Sequence, residues 1–185
     1  MMSDESDKSD LAIRRNTMIF PENINSGKKS APLDVNVRAA FLEVLSGVLE
    51  RFAFMFVESA DECGAEGDVK GAYLYAVITF TGRTQGAISL AAPDDLCREM
   101  AANVLGMDPS ETVETAGEDA LKELVNIICG ELTVALYGNE DVFNLTVPNL
   151  YRVDRSKWRE LGADSDSVKL SLEGKPLVAN LMIAS

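Results

Sequence analysis

Two amphipathic stretches set eighty residues apart constrain this chain more than any other feature. In the first, Phe41, Val44, Leu45, Val48, Phe52, Met55 and Phe56 recur at helical spacing for about six turns, with Asp34 placed to cap the N-terminus. In the second, residues 117–137, the stripe is Leu121, Leu124, Val125, Ile128, Leu132, Ala135 and Leu136, closed by Gly138 and Asn139. Side by side, Phe41, Glu43 and Ser46 fall 80 positions before Leu121, Glu123 and Asn126. The hairpins that follow echo each other too: Phe80-Thr81-Gly82-Arg83 with 86–92 resembles Leu172-Glu173-Gly174-Lys175 with 178–184. The simplest account is a pair of helix-plus-hairpin halves related by a pseudo-twofold axis.

The remaining elements fit between these. Residues 73–81 and 86–92 read as a hairpin, Pro93-Asp94-Asp95 opens a connecting helix that Gly106 stops after Leu105, and 143–153, 167–172 and 177–183 read as strands. Lys157, Trp158, Asp164 and Asp166 read as a charged loop between strands, with Trp158 capping the sheet. The expected fold is α+β in two layers, long helices on one face of a largely antiparallel sheet. Residues 33–185 are expected to form one domain, and the Ser-, Asp- and Lys-rich residues 1–32 a mobile arm carrying the short apolar island Met18-Ile19-Phe20-Pro21.

Charge and composition remove whole classes of function. A formal charge of -13 argues against binding nucleic acid or an anionic membrane. No segment holds 18 consecutive apolar residues and the charged N-terminus lacks a signal-peptide stretch, so a cytoplasmic protein is expected. Cys63, Cys97 and Cys129 are odd in number and widely spaced, which suits idle thiols. There is no histidine, which removes Ser-His-Asp and Cys-His catalysis and the commonest zinc sites. Asp94-Asp95 and Asp61-Glu62 are adjacent acids of the kind that solvate a helix cap or loop, and no metal site is expected.

The candidate chemistry lies on the outer ridge of the second long helix. On a helical wheel Asp119, Glu123, Asn126 and Gly130 cluster opposite the apolar stripe, so Glu123 and Asn126 stand one turn apart. Glu123 alone reads as an ordinary solvated residue. Asn126 and Gly130 are poor helix formers at mid-helix, and Ile127 and Val134 make the border of the ridge partly apolar, which together suggest a face built for contact.

The run Asp119-Ala120-Leu121-x-Glu123-Leu124-x-Asn126-x-x-x-Gly130 resembles the signature helix of the CheC, CheX and FliY phosphatases of bacterial chemotaxis, whose motif is Glu-x-x-Asn. The similarity runs from about residue 35 onward and includes the stretch Glu50-Arg51-Phe52-Ala53-Phe54-Met55-Phe56, the Phe80-Thr81-Gly82 to Gly86 hairpin and Val104-Leu105-Gly106. The resemblance implies a CheX-like phosphatase acting on a phosphorylated CheY-like response regulator. Asn126 would orient a water for in-line attack on the aspartyl phosphate, and Glu123 would pair with the regulator's lysine. Asp119, Ile127, Gly130 and Val134 would touch the partner. No cofactor would belong to this chain, and Mg2+ is expected on the partner. CheX-like members are similar in forming a homodimer through sheet edges. In the first helix the equivalent pair is Glu43 and Ser46, and the shorter serine marks a degenerate second site. The competing reading keeps the fold as a non-catalytic interaction or adaptor module, binding a receiver or a flagellar switch component.

Overall fold

The computed structural model describes residues 33–58, 72–113 and 115–184. The expectations for the arm 1–32, the 61–71 loop with Asp61-Glu62, and Cys63 lie outside the described residues.

Helix α1 spans Val35–Phe52, and the Asp34 carboxylate accepts from the Asn36 N–H at 2.8 Å, which satisfies one of the donors a helix start leaves unpaired. It ends a turn earlier than its apolar period predicts, because Phe54 takes a left-handed conformation at φ 55° and turns the chain. The short strand β1 (Val57–Glu58) follows, then β2 (Tyr73–Thr81) and β3 (Gln85–Pro93) joined through residues 82–84. Helix α2 (Asp94–Leu105) stops at Gly106, whose φ of 66° suits a residue without Cβ. A single 3-10 turn, Pro109–Glu111, leads on to α3 (Ala116–Tyr137).

The expected strand at 143–153 is two pieces, β4 (Asn144–Leu145) and β5 (Asn149–Val153), both antiparallel to β2. Between them lies Pro148, which has no N–H for a continuous ladder. The charged loop expected around Trp158 is a helix, α4 (Arg155–Ala163), capped by the Asp154 carboxylate on the Lys157 N–H at 2.8 Å. Strands β6 (Val168–Leu172) and β7 (Lys175–Ile183) close a hairpin over Glu173 and Gly174, both at positive φ, as a two-residue hairpin turn requires.

The sheet order is β1-β6-β7-β3-β2-β4, with β5 also on β2 and every pairing antiparallel. Strands β3 and β7 meet at the centre, where Ser89 faces Asn180. The strand that follows α1 pairs with the second hairpin, while the strands that follow α3 pair with the first. This is the pseudo-twofold arrangement the repeat suggested. The buried positions of the long helices obey the same offset: Phe41, Leu45, Val48 and Leu49 against Leu121, Val125, Ile128 and Cys129.

Alternation in β2 divides the interior. Leu74, Ala76, Ile78 and Phe80 join the main core with α1, α2 and α3. Tyr73, Tyr75 and Val77 face the other way, into a smaller cluster with Val153, Val178 and Trp158 of α4. The long helices therefore share one face, as expected, and the unforeseen α4 covers part of the opposite one.

Candidate functional site on helix α3

Helix α3 is held as a rod by its surroundings. Glu118 and Asp119 lie in its first turn, where acids complement the helix dipole. Glu118 accepts from Arg152 of β5 at 2.6 Å, and Arg152 reaches Asp94 of α2 at 3.6 Å. A Cβ at Gly117 would stand 3.1 Å from the backbone of Cys97 and Arg98, so any larger residue would push α2 and α3 apart by a few tenths of an ångström. Further along, Arg51 of α1 grips both carboxylate oxygens of Glu131, the shorter contact at 2.6 Å.

Gly117 and Glu131 are 14 positions apart, which on a wheel places them within about 40° of one another. Helices α2 and α1 therefore lie one after the other along the same flank of α3. They meet where the Asn103 side-chain amide donates to the Ala53 carbonyl at 3.1 Å.

Between those two clamps Glu123 and Asn126 project outward, both exposed, one turn apart. Among the described residues neither side chain has a hydrogen-bonding or ion-pairing partner. Asp119 is exposed and paired with Lys122 at 2.7 Å. Gly130 faces open space, with nothing within 4 Å of the position a Cβ would take. Val134 is exposed, whereas Ile127 is half-buried and leans on the main core. On the inner side one expectation is corrected: Ala135 is exposed and Thr133 is buried in its place, its hydroxyl satisfied by donation to the Gly130 carbonyl at 2.8 Å.

In α1, Glu43 is exposed but Ser46, the counterpart of Asn126, is half-buried. The 80-residue offset also contained a contact that sequence reasoning missed. Arg51 and Glu131 occupy equivalent positions and touch, which puts them beside the pseudo-twofold axis. Opposite charges at equivalent positions were the available signal.

Burial pushes the Cys129 thiol up to about 12, and burial with Asp94 and Asp95 nearby raises Cys97 further. Both cysteines are free and buried. Among the described residues no group of three Cys, Asp or Glu side chains is placed to hold a metal ion, and no helix is long and apolar enough to cross a membrane.

The family model described as chemotaxis phosphatase CheX matches residues 74–167, slightly more than half of the chain. The chain belongs to the CheX family. Solved CheX-family structures share its fold at low identity. A chemotaxis protein CheX from Desulfovibrio desulfuricans aligns at 16% identity and a TM-score of 0.58, covering 81% of this chain and 100% of that one. Chemotaxis protein CheX from Vibrio vulnificus aligns at 16% and 0.59, covering 83% and 100%. A CheX from Borrelia burgdorferi, solved as a CheX-CheY-BeF3-Mg2+ complex, aligns at 19% and 0.57, covering 82% and 100%. No curated protein matches the chain. The family match includes Glu123 and Asn126 but begins after α1, so it leaves Glu43 and Ser46 outside.

Proposed function

We propose that this chain accelerates hydrolysis of the aspartyl phosphate of a CheY-like response regulator, with Asn126 positioning the attacking water and Glu123 docking to the regulator's lysine. One observation carries this reading: in a CheX-family chain, a carboxylate and an amide stand together on a clamped helix, exposed and with no partner among the described residues. A polar pair left unsatisfied by its own fold is available to a foreign pocket.

The chemistry asks little of the chain. An acyl phosphate is already activated, so a bond forms between water oxygen and phosphorus while the phosphorus–aspartyl oxygen bond breaks, giving the carboxylate and inorganic phosphate. The amide of Asn126 orients the water by accepting one of its hydrogens, and positioning supplies the acceleration without a strong base. Mg2+ belongs to the regulator's pocket, where it offsets phosphoryl charge. That a Borrelia burgdorferi relative forms a complex with CheY, BeF3 and Mg2+ supports this choice of partner.

The reading extends to one site per chain, on α3, within a single domain from residue 33 to 185. The rest of the proposal is a cytoplasmic homodimer joined at sheet edges, for which light scattering is the test. The half-buried Ser46 supports an inactive α1 ridge.

The decisive experiment compares Asn126→Ala with the parent protein on a phosphorylated CheY from the same organism. Turnover is expected to fall by roughly 100-fold while binding to the regulator is largely kept. Unchanged turnover would leave a binding module and remove the mechanism.

A further inference from the structure

We infer that Phe52, Phe54 and Phe56 form an apolar docking surface for the phosphorylated receiver domain, beside the α3 ridge. The inference rests on the proposed function and adds to it the determinant of affinity.

The segment after α1 is folded inside out. Ala53 and Met55 are fully buried, while the three phenylalanines between and around them are 42%, 63% and 76% exposed. Phe54 also holds φ at 55°, a region that disfavours a bulky side chain and that glycine or asparagine would occupy at less cost. Two separate terms, exposed aromatic area and backbone strain, therefore oppose an aromatic residue at this position. The turn itself serves the fold, since the Met55 N–H then donates to the Leu49 carbonyl at 3.2 Å and Met55 is buried, but glycine would make the same turn without exposing a ring, so the aromatic area is what the described fold leaves without a use.

The placement identifies the occupant. Ala53 is tied to Asn103 at the end of α2, and Arg51 to Glu131 of α3, so the segment starts at the junction on the flank of α3 that Ile127 borders. Val104 and Leu105, at that same end of α2, are also exposed. Glu131, which anchors the junction, lies five residues beyond Asn126 on the same helix, so a partner domain seated on Glu123 and Asn126 is expected to reach the junction with its edge. Taking about 200 Å² for each aromatic side chain, the three phenylalanines expose roughly 350 Å². A stable dimer buries about 800 Å² on each partner. The patch is too small to hold a second copy by itself. Added to the ridge, it suits a partner that must bind briefly and leave after each turnover.

The test uses Phe54→Gly, which relieves the backbone while removing the ring, together with Phe56→Ser and Asn126→Ala. Each full-length variant is measured for melting temperature, for binding to a CheY-like receiver loaded with beryllofluoride and Mg2+, and for turnover of the phosphorylated receiver. Phe54→Gly is expected to melt no lower than the parent, to bind the receiver roughly tenfold more weakly, and to keep kcat within about twofold. Phe56→Ser is expected to weaken binding likewise. Receiver binding that both variants keep at the parental level overturns the inference, and the phosphatase reading then stands or falls separately on Asn126→Ala. A parent protein that binds no receiver overturns both. If Phe54→Gly instead halves the molecular mass measured by light scattering, a second copy occupies the patch and the inference fails.

Discussion

Replacing the single tryptophan, Trp158→Ala, separates the stability of the sheet's second face from the work of the first. Trp158 is 5% exposed and stacks on Tyr73 with ring centroids 4.6 Å apart. An indole side chain of about 250 Å², almost wholly buried, is worth about 6 kcal/mol of transfer free energy at 25 cal/mol/Å². A compact denatured chain already buries part of that area, which brings the loss to about 4 kcal/mol, in the range found for Trp→Ala at other buried sites. Urea unfolding followed by far-ultraviolet circular dichroism measures it. The helix layer that carries Glu123 and Asn126 lies across the sheet from α4, so turnover per folded molecule is expected to stay within about twofold. A loss below about 1 kcal/mol would refute the assignment of α4 to a packed second face. A collapse of turnover in fully folded protein would refute the independence of the two faces.

The other expectations concern single residues. Gly130→Ala should stabilise the protein by about 0.5–1 kcal/mol in thermal unfolding, since the position is open and alanine favours helix, yet weaken receiver binding if a backbone must approach there. Gly86→Ala should be strongly destabilising in the same assay, because its Cβ would strike the Met182 carbonyl and the Phe80 ring. Burial lowers the pKa of Lys175, but ion pairs with Glu99 and with Asp95 at 3.0 Å outweigh it and hold the group above its ordinary 10.5. The raised pKa makes these pairs stabilising below pH 10.5, a contribution lost as pH rises through the folded value, so Lys175→Met should flatten the alkaline limb of the pH–stability curve. With Cys129 pushed up to about 12 and both thiols buried, iodoacetamide at neutral pH should label Cys97 and Cys129 only after urea is added, as peptide mass spectrometry will show.

Punctuation residues made much of the fold legible. Asp34 and Gly106 cap helices where the pattern of side chains places them, and the hairpin turns fall at their glycines. The outward direction of Glu123 and Asn126 followed from helical period alone, because a long apolar stripe fixes which way its opposite face points. Helix α4 was hidden because it is short, and the two apolar residues it turns inward, Trp158 and the half-buried Leu161, are too few to show a period. The end of α1 was misread because its apolar residues keep helical spacing to Phe56 while the backbone turns at Phe54, with no glycine or proline to mark it. Beyond the hairpins, most contacts between elements distant in sequence were not legible. A wheel gives the direction of a face, not that α1 and α2 meet end to end through Ala53 and Asn103.

The exchange of edge strands between the halves has a consequence for how the molecule comes apart. Each repeat lends the segment after its long helix to the other repeat's ribbon, so neither possesses a complete set of partners. Severing the chain between α2 and α3 yields two fragments that must recombine before either is solid. Heating should consequently produce one calorimetric event for both repeats, and an ancestor of half the length would have needed a twin.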